Sequence, residues 1–274
     1  MRAAIFLALL STGCVDIVGA DIHQIVREEK HFSTSGKPDV VLSTFDGSIE
    51  IRPWDKPDVQ VIVEKRGRDE AAVSSIDVHT EQSGNRIVVD VKAEKHGDRG
   101  FHLTWNFGRS AKLIVSLPAE SDVTAKSGDG AIDIERITGK VDLRSGDGGI
   151  RARDLSGDVN VSTGDGGMTL EGKFGSLRAR SGDGSVRIHA APGSTAASDW
   201  DISTGDGSIT LEIPDGFGGE LDAHTGDGGI HMNDITLSNV TGEIRRNTVR
   251  GRLGSGGSAV RLRTGDGSIT LRRS

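Results

Sequence analysis

A four-residue turn, Ser/Thr-Gly-Asp-Gly, recurs seven times between Ser127 and Gly267, and no other feature of the chain restricts its fold so tightly. The copies are Ser127-Gly128-Asp129-Gly130, Ser145-Gly146-Asp147-Gly148, Thr163-Gly164-Asp165-Gly166 and Ser181-Gly182-Asp183-Gly184. Three more follow: Thr204-Gly205-Asp206-Gly207, Thr225-Gly226-Asp227-Gly228 and Thr264-Gly265-Asp266-Gly267. The Asp positions 129, 147, 165 and 183 are each 18 residues apart, and the later steps, through 206, 227 and 266, are 23, 21 and 39. The last step reads as two repeats, with Thr241-Gly-Glu-Ile244 and Gly254 to Gly257 as a degenerate copy inside it. Asp46-Gly47-Ser48-Ile49 is an outlying echo. Self-similarity at a fixed period marks a repeat architecture.

Within a unit, apolar residues alternate on both sides of the turn: Val141 and Leu143 before it, Ile150 and Ala152 after it. Leu155 or Phe174 marks the next corner. A period of two puts these on one face and Asp142, Arg144, Arg151 and Arg153 on the other. Two short strands and two tight corners make one coil, which cannot bury its apolar face alone. Coils must therefore stack, at roughly 4.8 Å per layer. The expected fold is all-β, a β-solenoid; the alternative is an antiparallel meander or roll in which each Asp-Gly closes a hairpin. A left-handed hexapeptide helix fits poorly, because Leu143, Ile150, Leu155 and Val159 are unevenly spaced.

The first half is less regular. Val40–Thr44, Ser48–Ile51, Val59–Val63, Arg86–Val91 and Lys112–Leu117 read as strands. Asp46-Gly47 is a hairpin or tight-turn signal. Lys92 to Arg109 is polar and reads as a long loop or hairpin tip. Pro38, Pro53, Pro57 and Pro118 fall at strand ends, where a missing N–H does least harm. The resulting division is 1–20 signal peptide, 21–120 β-rich region capping the repeats, and 121–274 Gly-Asp-Gly repeats.

At the turns, Gly is expected to supply positive φ, and Asp to bond backbone N–H groups two residues on. The preceding Ser or Thr shares that bonding, so stacked copies give hydroxyl ladders. One Asp per coil also makes a column of carboxylates. Each turn offers one carboxylate, where calcium takes six to eight oxygens. Repulsion between neighbours costs about 1 kcal/mol in water, which screening and local hydrogen bonds offset. The column therefore calls for no metal and no cofactor.

Arg2 followed by the apolar run from Ala3 to Leu10 has the form of an export signal too short to span a bilayer. Leu10-Ser-Thr-Gly-Cys14 is similar to a bacterial lipobox, with Ser11 where an aliphatic residue is usual. Cys14, the single Cys of the chain, would then be the lipidated first residue. Cleavage after Val18-Gly-Ala20, giving a secreted protein, is the second reading, and a buried apolar strand the third. The expected site is periplasmic or at the cell surface, with the membrane engaged only through an N-terminal lipid anchor.

With a formal net charge of −7 and Arg interspersed with Asp, the chain lacks the concentrated basic face that nucleic acid requires. It has no Tyr to build aromatic sugar platforms, and Trp54, Trp105 and Trp200 fall outside the regular units, as cap or loop packing. No nucleophile motif appears, and His224 and His231 sit on the strand surface around one turn. A repeated Asp is a structural habit, whereas acid–base catalysis needs two carboxylates in different environments. No catalytic residue is expected.

The lipobox-like start, Leu117-Pro118-Ala119 and the run of Ser/Thr-Gly-Asp-Gly units resemble the bacterial putative-adhesin β-strand-repeat family, from about Val40 onward. The resemblance implies a solenoid-like fold and an envelope role. Two function classes follow: a binding or adhesion module for an envelope protein or glycan, and a structural or sensory component working with a signalling partner. A polysaccharide-active enzyme is the third.

Overall fold

The computed structural model describes residues 24–93, 108–240 and 246–274. The signal segment with Cys14, Trp105, most of the polar stretch after Lys92, and Thr241–Ile244 lie outside the described residues.

In the first half, β1 is Gln24–Ser33, β2 Asp39–Thr44, β3 Ile49–Pro53, β4 Asp58–Gly67, β5 Ile76–Ser83, β6 Arg86–Ala93 and β7 Arg109–Leu117. A five-residue helix, α1 (Glu70–Ser74), follows β4, its first turn capped by the Asp69 carboxylate accepting from the Ala72 N–H. The repeats contribute β8 (Asp122–Ser127), β9 (Ile132–Glu135), β10 (Thr138–Ser145), β11 (Ile150–Thr163), β12 (Met168–Ser181), β13 (Val186–Ala190), β14 (Trp200–Thr204) and β15 (Ile209–Ile213). The chain then forms β16 (Gly219–Thr225), β17 (Ile230–Asn233), β18 (Leu237–Ser238), β19 (Thr248–Leu253), β20 (Ala259–Thr264) and β21 (Ile269–Arg273).

The strand before each Gly-Asp-Gly turn does not pair with the strand after it. Each pairs, parallel and in register, with its counterpart in the next coil, as Leu143 does with Ala125 and Val161. The fold is therefore a β-solenoid, and the meander does not occur. Pre-turn strands form one face, in the order β5–β6–β2–β8–β10–β11–β12–β14–β20–β16–β19–β18. Post-turn strands form the other, in the order β1–β4–β7–β3–β9–β11–β12–β13–β15–β21–β17. β11 and β12 are long enough to serve both faces, bending at the second corner where their register shifts.

Strand alternation fills the space between the faces. Val40, Val123, Val141, Val159, Leu177, Trp200, Val260 and Leu221 form one buried column. Ile49, Ile132, Ile150, Met168, Val186, Ile209 and Ile269 form another opposite it. Each such aliphatic side chain contributes about 1.5–3 kcal/mol on burial. Leu155 and Phe174 are buried at the second corner, as expected. Trp200 departs from expectation. It belongs to a regular coil, paired with Leu177 and Val260, and packs on Phe174 and Phe217 at centroid distances of 6.1 and 4.9 Å. Trp54 lies just after β3, where its indole N–H donates to the Asp58 carbonyl at 2.8 Å.

The stack includes the first half. β2 pairs with β8 and β3 with β9, so Asp46-Gly47 is a coil corner and not a hairpin. β6 and β7 extend the two faces by another layer and do not pair with each other. Antiparallel strands close both ends: β5 on β6, β4 and β1 beyond β7, and β19 on β16. The edge strand β1 carries the charged run Arg27-Glu-Glu-Lys-His31, which discourages further strand pairing.

The degenerate copy is also corrected. Gly254–Gly257 forms the link from β19 to β20, and the 39-residue step holds the antiparallel β18 and β19.

Candidate functional site

Two features repeat along the solenoid: the column of turns, and the outward face of the pre-turn strands. The turns lie directly over one another, in the spatial order Asp46, Asp129, Asp147, Asp165, Asp183, Asp206, Asp266, Asp227. Each Ser or Thr hydroxyl donates to a Gly carbonyl one layer away. Ser145 reaches the Gly130 oxygen at 2.9 Å, Thr204 that of Gly184 at 2.8 Å and Thr264 that of Gly207 at 2.7 Å. At Ser127, Ser145, Ser181, Thr225 and Thr264 the same hydroxyl accepts from its own turn, as Ser145 does from the Gly148 N–H at 3.1 Å. The column is thus a ladder of hydroxyl-to-backbone bonds between layers.

The expected positive φ is not found. None of the glycines in the seven turns lies in the left-handed region. They are required by proximity: a Cβ on Gly148 would lie 2.3 Å from the Gly130 carbonyl oxygen. Left-handed residues occupy the opposite corner instead, at Arg136 (φ 56°) and Asp154 (φ 51°).

The turn carboxylates of Asp129, Asp147, Asp165, Asp183, Asp206, Asp227 and Asp266 are exposed. Half-buried Asp46 is held above the ordinary carboxylate range, by burial first and then by the Asp129 charge. Among the described residues no group of three or more His, Cys, Asp or Glu is arranged to hold a metal ion. His224 and His231 lie on exposed strand positions, His224 bonded to the Thr248 hydroxyl at 3.0 Å.

The second feature is a groove of about 670 Å³ on the pre-turn face, crossing the starts of β2, β8 and β10, the later, pre-turn parts of β11 and β12, and the approach to β14. Two outward columns line it. One holds Asp39, Asp122, Lys140, Asp158, Ser176 and Asp199; the other holds Thr124, Asp142, Asn160 and Arg178. Most of the carboxylates are already engaged. Asp122 takes the Lys37 ammonium at 2.5 Å and the Lys140 N–H at 2.7 Å. Asp142 takes the Arg144 guanidinium at 2.9 and 3.0 Å and the Asn160 amide at 2.8 Å. Burial raises the pKa of both carboxyls, but these donors outweigh it and hold each below its ordinary value. Asp158 accepts, among the described residues, a hydrogen bond from the Ser176 hydroxyl alone, at 2.8 Å. Among the described residues the Lys140 ammonium has no ion-pair partner, and Arg178 comes no closer than 3.9 Å to Asp201. The floor thus presents an ammonium that acts on Asp122 without a contact ion pair, a loosely held guanidinium, hydroxyls and one lightly engaged carboxylate.

Sequence reasoning selected the turns and missed this groove. Its signal was present at the 18-residue step: Asp122, Lys140, Asp158 and Ser176 are successive members of one column.

Comparison with known proteins rests on the same repeats. The family model described as Toastrack DUF4097 matches residues 39–189 and again 137–272, two overlapping registers that together span most of the chain. The chain belongs to the Toastrack family. The overlap of two matches on one Toastrack chain is what a repeated coil produces. No curated protein sequence matches it.

Among solved structures the Toastrack chain is similar to one described as a putative cell adhesion protein from Clostridium sporogenes ATCC 15579. That match has 13% identity and a TM-score of 0.41, covering 90% of this chain and 99% of that one. It is also similar to a putative adhesin from Bacteroides fragilis NCTC 9343, at 13% identity and a TM-score of 0.38, covering 89% and 96%. A third is described as a putative lipid binding protein from Parabacteroides distasonis ATCC 8503, at 14% identity and a TM-score of 0.33, with the same coverage. At these scores the likeness carries no functional weight.

Proposed function

We propose that this Toastrack protein is a non-enzymatic binding module of the bacterial cell envelope, an adhesin in the broad sense, that takes an extended ligand along its pre-turn face. The observation that carries this reading is the groove crossing six layers, with the Lys140 ammonium on its floor, beside Asp122 but in no contact ion pair among the described residues. Because the groove runs across the strands, its polar groups repeat at the layer spacing of roughly 4.8 Å. A linear polymer bearing hydroxyl and acidic groups, such as an envelope glycan, can meet one layer after another. The strands are rigid and hydrogen-bonded on both sides, so little ordering cost accompanies binding.

The chemistry of the groove supports recognition over turnover. Its two best-buried acids, Asp122 and Asp142, are both held ionised by cationic donors, so neither is set apart as a proton donor. Export follows in this reading from the N-terminal signal, with Cys14 as the lipid anchor. Cys14→Ser would abolish fatty-acid labelling and release the protein from membranes; unchanged membrane association would refute the anchor.

The test of the binding role uses the full chain and purified cell-wall glycan. Saturable binding is expected, weakened about tenfold or more by the pair Lys140→Glu and Arg178→Glu. Arg187→Glu, on the post-turn face, is expected to leave it unchanged. Absence of saturable binding, or equal loss with Arg187→Glu, would overturn the assignment to the groove.

A further inference from the structure

Spatial order and sequence order part company at one place in the stack. The last coil, β20–β21, does not lie at the end of the solenoid. β20 sits between β14 and β16, and β21 between β15 and β17. Its backbone is bonded on both sides: Gly265 N–H to the Gly205 oxygen at 2.7 Å, and Gly226 N–H to the Gly265 oxygen at 2.7 Å. Val260, Leu262 and Ile269 are fully buried there. Among the described residues no strand pairing joins β14–β15 directly to β16–β17. The unit β16–β19 is therefore held to the main stack, in sheet terms, by this coil alone.

Two further observations bear on how the slot is filled. Residues 204–211 and 264–271 share the identical sequence Thr-Gly-Asp-Gly-Ser-Ile-Thr-Leu, and they are the two coils that stack on each other, Ile209 opposite Ile269 and Leu211 opposite Leu271. The link into the last coil, Gly254-Ser-Gly-Gly-Ser258, holds three glycines at positive φ, 52°, 83° and 148°. Such a link can adopt other paths at little steric cost. A coil that reaches its slot on a glycine hinge, with its partners on both sides belonging to other coils, can equally be supplied by the same segment of a neighbouring molecule.

We propose that the slot between β14–β15 and β16–β17 is an interaction site for a second copy of this chain, which donates its own β20–β21 coil while receiving the first copy's in exchange. Reciprocal donation closes a two-fold dimer, and every bond of the inserted coil is kept because donor and native segment are the same sequence. This is strand addition with an intramolecular competitor. The slot meets the ligand groove at Asp199, whose carboxylate accepts from the Ala259 N–H at 3.2 Å and from the Arg261 guanidinium at 2.7 Å.

The test uses full-length chains carrying Cys14→Ser. Thr210 and Thr270 are in-register neighbours on β15 and β21. Adjacent strands bring their Cα atoms within the 4.4–6.8 Å range of a disulfide, at roughly 4.8 Å. A chain carrying Thr210→Cys and another carrying Thr270→Cys are unfolded together, refolded and oxidised. The expected result is a disulfide-linked dimer that increases with protein concentration, about tenfold or more above a mismatched mixture of Thr169→Cys and Thr270→Cys chains. A single chain carrying both substitutions should cross-link within itself, which checks the register. Internal cross-linking with no dimer in the mixture would overturn exchange, as would equal dimer yield from the mismatched pair. Failure of the internal cross-link would overturn the insertion itself.

Discussion

Gly148 lies so close beneath Gly130 that a Cβ on Gly148 would stand 2.3 Å from the Gly130 carbonyl oxygen and 2.4 Å from its carbon. Backbone touches backbone at this corner, and the same contact recurs from layer to layer, as between Gly184 and Gly166 and between Gly207 and Gly184. The hydroxyl of Ser145 bonds across the same gap.

Gly148→Ala should therefore cost about 2–4 kcal/mol, since neither backbone can move without breaking the ladder. Gly84, with φ of 61° and no atom near its Cβ position, is the control for conformational strain alone. Gly84→Ala should cost about 1 kcal/mol. Urea midpoints decide. Equal losses would mean that close approach is not what demands glycine at the turn.

Ser145→Ala removes the donor to the Gly130 carbonyl and the acceptor for the Gly148 N–H. Both are partly buried, so a loss of about 1–2 kcal/mol is expected in the same assay. A neutral result would reduce the hydroxyl column to decoration.

Ile150 is 2% exposed and faces the core, while its neighbour Arg151 is exposed and comes only within 3.9 Å of Asp133. Ile150→Asp buries an unpaired carboxylate and should cost several kcal/mol, about 3 or more. Arg151→Asp should cost under about 1 kcal/mol. The contrast tests register directly, because a slip of one residue would exchange the two outcomes.

Glu64 is buried on β4 and receives Arg66 at 2.8 Å and Arg27 at 2.9 Å. Burial raises its pKa, yet the hydrogen bonds and charges of Arg66 and Arg27 outweigh that and bring it below its ordinary 4.5. A depressed carboxyl pKa means that the unfolded chain takes up the proton first. The stabilisation is then complete above about pH 4.5 and drains away as pH falls through the folded-state value. Glu64→Gln should cost about 1–3 kcal/mol at pH 7, and its deficit against the parent protein should shrink on acidification. A deficit that stays constant down to pH 3, well under the ordinary carboxyl value, would refute the ion-pair account.

The repeated turn and the period-two alternation were enough to place Val141, Leu143, Ile150 and Ala152 inside and Arg144 and Arg151 outside, because side-chain direction in a strand is a local property. The 18-residue step likewise favoured the solenoid, but the meander was excluded only by the parallel pairing of successive coils. Three further matters were decided only by the tertiary structure. Glycine at the turns answers to the layer below, and no local reading of φ could reveal a neighbour 18 residues away in the chain. The groove exists because outward residues of six coils meet, and whether Lys140 is paired depends on where Lys37 and Arg144 direct their charges. The position of the last coil was not legible at all. Identical sequences at 204–211 and 264–271 say that the two coils can stack, but not that β16–β19 must stand aside to admit one between them, because the partners of β16 and β17 are strands some 40 residues away in the chain.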